Sequence, residues 1–150
     1  MTAAISRLEE LLETVPRRLA DVPDADAARK PAPHRWSKKE LLGHLIDSAA
    51  NNHQRFVRAQ GTPRLETPRY EQEFWVAAQS YATESWPDLV NLWTLYNRHL
   101  LHVVKAMPAE VLPHECAITG YGEMTLEALV VDYVRHMNQH LAQLLPPQDA

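Results

Sequence analysis

Apolar residues recur at the 3.6-residue spacing of an α-helix in four separate segments of this chain, and no segment of useful length alternates like a half-buried strand. Four amphipathic helices, each with one face to bury, point to an all-α fold, a four-helix bundle. The first segment, residues 5–21, carries Ile5, Leu8, Leu11, Leu12, Val15 and Leu19, with Ser6 and Glu9 spaced as a capping box. Pro16 is expected to kink or split it, because proline cannot donate to the helical ladder. The stretch from Pro23 to Pro33, rich in Pro, Asp and Ala, reads as a connection.

Ser37 and Glu40 make an S-x-x-E box at the head of the second helix. Its inward side is Leu41, Leu45, Asn52 and Phe56, and Gly61-Thr62-Pro63 ends it. Residues 61–84, with the cluster Tyr70, Phe74, Trp75 and Tyr81, form a connection long enough to point to function, with a short helix expected near 71–79. Ser85, Pro87 and Asp88 open the third helix, whose stripe is Leu89, Trp93, Tyr96, Leu100, Val103 and Met107, closed by Pro108 and Pro113. After a loop from Cys116 to Gly122, Thr125 caps the fourth. Its stripe is Leu126, Val130, Tyr133, Met137, His140, Leu141 and Leu144, ended by Pro146-Pro147.

With 150 residues the chain suits one domain spanning 1–150. A core of that size needs neither disulfide nor structural metal to fold. The lone cysteine, Cys116, excludes an internal disulfide framework, a four-cysteine zinc site and a CxxC redox pair. A net charge of −4 argues against a nucleic-acid or membrane partner. No GxGxxG or GxxxxGK[ST] loop is present, so nucleotide binding of those kinds is not expected. Without a signal peptide or an 18-residue apolar run, a soluble cytoplasmic protein is expected.

Eight histidines stand out against this background. His136 and His140 lie four apart on the fourth helix, one turn apart on one face, a pair able to chelate a cation. An H-x-x-x-H pair is by itself a weak signal in a chain so rich in histidine. His44 on the second helix heads a line continued by Ser48, Asn51 and Arg55 at spacings of four, three and four. Such a polar row is a poor filling for a dry core and a sensible lining for a wet pocket between helices. Facing solvent, it would be an ordinary surface. Three imidazoles from two helices make the ligand set of an open catalytic metal site.

The segment Trp36-Ser37-Lys38-Lys39-Glu40-Leu41-Leu42-Gly43-His44-Leu45-Ile46-Asp47-Ser48, continuing to Asn51-Asn52-His53-Gln54-Arg55-Phe56, closely resembles the DinB-like superfamily. Within it, the match is best to the YfiT-like branch of metal-dependent enzymes. Tyr70 with Trp75, Leu92-Trp93 with Tyr96-Asn97, Asp132-Tyr133-Val134-Arg135-His136 and His140-Leu141 follow in the same order, so the resemblance spans roughly residues 5–145. It implies an up-down-down-up four-helix bundle, a homodimer, and one divalent metal ion, zinc or nickel. The implied ligands, position by position, are His44, His136 and His140. Relatives often read H-x-x-H-H where Gln139 here precedes His140; helical geometry favours the i, i+4 pair.

Characterised members of the resembling family include thiol-dependent S-transferases and a mycothiol-dependent isomerase, and many others carry a hydrolase label. The resemblance therefore implies a small-molecule substrate and a metal that activates water or a low-molecular-weight thiol cosubstrate. Two other readings stay open: a non-catalytic metal-containing module that binds a small molecule, and a metal-free bundle with hydrogen-bonded histidines. Asn51 and Arg55 are candidates for holding an anionic group of the substrate, and Tyr70 and Trp75 for a pocket wall or lid. Asp47, three after His44, and Asp132, four before His136, are candidates for orienting an imidazole. His99 is a candidate fourth ligand. His34, His53, His102 and His114 are expected at the surface, and His114 with Cys116 is too small a set for a second site.

Overall fold

The computed structural model describes residues 1–145. Four long helices carry the fold: α1 (Thr2–Ala20), α3 (Lys38–Gln60), α5 (Trp86–Lys105) and α6 (Leu126–Leu144). Two short helices, α2 (Asp24–Ala28) and α4 (Gln72–Ala78), and three strands, β1 (Arg64–Thr67), β2 (Glu115–Ile118) and β3 (Gly122–Thr125), fill the connections. Helix α1 packs on α5 and α6, and α3 packs on the same two, so the helices form a ring in the order α1–α5–α3–α6. Their buried stripes meet in one core that includes Trp86, Trp93, Phe56, Leu100 and Met137. Each large apolar side chain moved from water into it contributes roughly 1.5–3 kcal/mol. Among the described residues, no helix is long and apolar enough to cross a membrane.

The helix starts follow the expected chemistry where a polar cap stands outside the ladder. Ser37 accepts from the Glu40 amide while the Glu40 side chain accepts from the Ser37 amide, a complete capping box on α3. Ser85 accepts from the Asp88 amide to cap α5, and Thr125 accepts from the Ala128 amide to cap α6. The Ser6–Glu9 box does not form: α1 begins at Thr2, so Ser6 is inside the ladder, and Glu9 pairs instead with Lys105 at 2.6 Å. Nor does Pro16 split α1, which runs on to Ala20. Five buried residues on one side, Leu8 to Leu19, outweigh the single missing ladder bond. Residues 24–28 of the expected Pro23–Pro33 connection wind into α2, whose Asp24 carboxylate holds Lys39 and the Trp86 amide. The expected Pro146-Pro147 stop of α6 lies outside the described residues.

The fold is mainly helical rather than purely so. β1 pairs in parallel with β2, and β2 in antiparallel with β3. Leu65, Cys116 and Ile118 are buried, on the side where the sheet meets α3 and α6. On the exposed side Arg64 bridges Glu115 at 2.7 Å and Glu123 at 2.5 Å. The tight β2–β3 turn places Gly120 at φ 72°, a conformation that costs a side chain. Cys116 is therefore a core residue of a strand and not part of an open loop, and burial pushes its thiol pKa up, with Arg55 pulling partly the other way. On α5, Asn97 and Val104 are buried where Tyr96 and Val103 were expected innermost; those two are half-buried.

One close approach links the fold to the site. A Cβ at Gly43 would overlap the Tyr81 ring atoms Cγ, Cδ2 and Cε2. Tyr81 is itself buried and donates to Asp47. Gly43→Ala is expected to lower stability by about 1–3 kcal/mol, the range for overpacking a tight core. Urea denaturation checks this. In the Gly43→Ala/Tyr81→Ala double variant the loss should be smaller than the sum of the two single losses, because the ring that clashes is gone.

Candidate functional site

His44 projects from the second turn of α3, and His136 and His140 from consecutive turns of α6, the helix packed against it. The three imidazoles meet. Nε2 of His136 lies 3.3 Å from Nε2 of His44 and 3.1 Å from Nε2 of His140. One ligating nitrogen from each lies within 4.8 Å of the others. His44 is fully buried, with the Trp36 ring 5.1 Å from its own, while His136 and His140 are half-buried.

A neutral imidazole nitrogen carries either one proton or one lone pair, so Nε2 of His136 can satisfy only one of its two neighbours. Burial and mutual charge keep the rings neutral. Burial, reinforced by His136 and His140, pushes His44 down to about 3. Burial, with His140, brings His136 down to about 4, although Asp132 pulls it upward. Burial also lowers His140. Each neutral ring keeps one N–H, and with that proton on Nδ1 the three Nε2 lone pairs converge, so that one cation satisfies all three where a single shared proton cannot. Two nitrogens held by one zinc-sized ion at about 2.0–2.1 Å and a tetrahedral angle lie roughly 3.3 Å apart, close to the two separations observed. The donor set fits a divalent metal.

Two clefts reach this cluster. One, of about 100 Å³, is lined by His136 together with Ser48, Asn52, Arg55, Tyr70 and Tyr133. The other, of about 430 Å³, is lined by His140 with Trp36, His34, Arg35 and Glu73. Asn97 accepts a hydrogen bond from the Tyr133 phenol, and burial keeps that phenol protonated far above neutrality. Burial and the nearby Asp47 charge push Tyr70 up to about 12, with Arg55 and Arg69 opposing, so it too is a hydrogen-bond donor at neutral pH.

The remaining sequence candidates fall in several places. Arg55 and Tyr70 line the His136 cleft, and Trp75 stands behind Tyr70 at 5.1 Å between ring centroids. Asn51 turns its amide to the Asp47 carbonyl at 2.9 Å, and the neighbouring Asn52 lines the cleft instead. Asn52 belongs to the inward stripe read from the sequence, and α3 is buried on enough sides to hold it inside. The Asp47 carboxylate accepts from Tyr81 at 2.7 Å and Gln79 at 2.6 Å, rather than from an imidazole. Asp132 lines the His136 cleft but is engaged by Arg135 and Tyr121. His99 stands against His53 at 5.1 Å between rings, away from the three-histidine cluster. His34 and His102 are exposed as expected, whereas His53 and His114 are half-buried, His114 bonded to the Ala59 carbonyl at 2.7 Å. Sequence reasoning missed Tyr121, Arg69 and Gln72 in the cleft, which come from connections and carry no periodic signal.

Comparison with known proteins agrees with this architecture. The profile of the DinB superfamily matches residues 7–144. YfiT from Bacillus subtilis, described as a probable metal-dependent hydrolase with an unusual four-helix bundle topology, superposes with a TM-score of 0.82 at 18% identity, over 95% of this chain and 82% of its own. The mycothiol-dependent maleylpyruvate isomerase superposes at 0.78 and 16% identity, over 95% of this chain and 60% of its own, and a histidine-to-alanine mutant of it does so equally. At these identities the likeness is one of fold. No curated protein sequence matches the chain. The resemblance carried by Trp36–Phe56 and the later segments is thus matched over nearly all of the described helices, and the chain belongs to the DinB superfamily.

Proposed function

We propose that this protein is a metal-dependent enzyme whose His44, His136 and His140 hold one divalent metal ion and that it acts on a small molecule, with water or a low-molecular-weight thiol as the nucleophile. The observation that carries this reading is the convergence of three neutral Nε2 atoms beside a cleft, His136 standing 3.3 and 3.1 Å from its two neighbours. A metal bound there supplies Lewis acidity that brings the pKa of water or a thiol toward neutrality. His44, sealed beneath Trp36, anchors the set from the dry side, and His136 faces the cleft where a substrate has access. Tyr70 and Tyr133, both protonated at neutral pH, offer donors and neutral walls rather than competing anions. Cys116 is buried with its thiol pKa raised, so any thiol in the reaction is supplied by a cosubstrate. A hydrolase label on YfiT and a thiol requirement in the isomerase, each on this fold, are in keeping with a shared step of nucleophile activation.

Zinc and nickel both suit three imidazoles, and occupancy follows supply as well as affinity. Protein purified without a nickel column should carry about one equivalent of divalent metal by elemental analysis. Alanine at His44, His136 or His140 should lower affinity by roughly a hundredfold or more, since loss of an outer hydrogen-bond partner alone costs 10–100-fold. Turnover of a panel of ester, epoxide and thioester electrophiles, with water alone or with cellular thiols, should disappear on chelation and return with metal. Native protein without stoichiometric metal, or turnover indifferent to chelation, defeats the reading.

Acid should act on the metal-free protein through the same rings. His44 and His136 titrate near 3 and 4 when folded but near 6.5 when unfolded. The unfolded chain therefore takes up more protons below pH 6.5, and stability falls as pH drops from 6.5 toward 4. Urea midpoints of EDTA-treated protein should decline across that window. In a His44→Gln/His136→Gln variant, which cannot take up those protons, the decline between pH 6.5 and 5 should be shallower.

A further inference from the structure

Arg55 lies eleven residues, three helical turns, beyond His44 on the same side of α3, and it is 7% exposed. Its guanidinium offers five N–H donors, yet the protein meets it with two neutral acceptors at long range: Asn52 Oδ1 at 3.5 Å and the Pro68 carbonyl at 3.2 Å. Among the described residues, no carboxylate lies within ion-pair distance of it. Asp132, the acid in the same cleft, is already taken by Arg135 at 2.5 Å and Tyr121 at 2.9 Å. Buried arginines are almost always paired, because a desolvated cation without a counter-ion is costly to hold. Here the unpaired cation borders the cleft that His136 also lines, and Arg69 adds a second positive charge to that lining.

We propose that the substrate carries an anionic oxygen group, a carboxylate or a phosphate, which seats on Arg55 while the reacting part of the molecule faces His136. This names the substrate class of the site described above and so rests on the metal-dependent reading. A guanidinium fork matches either group in a bidentate manner and fixes orientation as well as position. The cleft, of about 100 Å³, holds more than a single water and so has room for an acid group against the guanidinium. A strut holding the Pro68 carbonyl needs only a single neutral donor; a buried charge with most of its donors unused is built for something that arrives from outside. The positive charges also favour the approach of anions over neutral analogues.

The metal-loaded protein and its Arg55→Lys and Arg55→Gln variants, titrated with acetate, succinate and inorganic phosphate and followed by the arginine Nε–Hε NMR signals, test the proposal. Acetamide serves as the neutral isostere of acetate, and metal content is measured in every sample. Saturable anion binding is expected, with acetamide weaker by roughly tenfold or more, as loss of a charged hydrogen-bond pair implies. Arg55→Gln should weaken the anions by a similar factor and Arg55→Lys by less, with metal content unchanged in both. Succinate tighter than phosphate identifies a carboxylate substrate, and the reverse order a phosphate. Acetamide binding as well as acetate in the unaltered protein, or anion affinity indifferent to Arg55→Gln, overturns the proposal. Anion binding on Arg55 in a protein that takes up no metal would sustain the anion site and remove the metal reading; metal uptake without anion binding would do the reverse.

Discussion

Packing of α3 against α6 is the constraint on which the rest of the structure depends. It buries His44 completely and brings it against two residues that are ninety-odd positions away along the chain. With α5, α4 and the Tyr81 turn packed on its other sides, α3 is enclosed so fully that eight consecutive residues, Leu42 to Ala49, are buried. Gly43 exists within that run because Tyr81 occupies the space a side chain would need, and Tyr81 in turn holds Asp47. The short helix α4 and the turn at Tyr81 are thereby fastened to the helix that carries His44, so the long connection between α3 and α5 forms part of the wall around the site.

Polar groups inside this bundle are arranged by what is left unsatisfied as much as by what is bonded. Nε2 of His136 has two imidazole neighbours and capacity for one. Nδ1 of His44 is buried without a partner among the described residues. Arg55 has a charge and, among the described residues, no acid beside it. A core selected for stability alone would replace such groups with leucine or methionine, since removing buried charge is often neutral or stabilising. Their concentration along one face of α3 and the facing turns of α6 fits a site that sacrifices folding stability for ligands. The small sheet serves the same region from below: Ile118 of β2 lines the cleft beside His136, and Tyr121 in the following turn reaches Asp132 on α6.

Much of this was legible residue by residue. The Ser37–Glu40 box, the caps at Ser85 and Thr125, and the short helix near 71–79 all rest on local rules, and all are present. His44, His136 and His140 could be grouped because helical spacing places residues on faces, and the resemblance to the DinB-like superfamily named the same three. The Ser6–Glu9 box failed because a matching spacing does not say where a helix starts. Asn51 was grouped with the polar row because a polar face next to a broad buried face has no sharp edge in sequence, and it bonds to its own helix instead. The three strands escaped notice because each has four residues, too short for alternation to register, and because β1 pairs with a strand some fifty residues later.

The sequence by itself determined four amphipathic helices, their caps and the faces on which the histidines stand, since these depend on interactions within one or two turns of chain. Only the tertiary structure decided which helices are neighbours, that the order around the ring is α1–α5–α3–α6, and that His44 therefore meets α6. It also decided that Arg55 would be buried with no acid beside it among the described residues, that Cys116 would sit in a strand, and that Asp47 would bond to Tyr81 instead of an imidazole. The physical reason is common to all of them. Local propensity sets the conformation of a segment, but a partner across the core is chosen by the packing of whole faces, and that choice belongs to no single stretch of sequence.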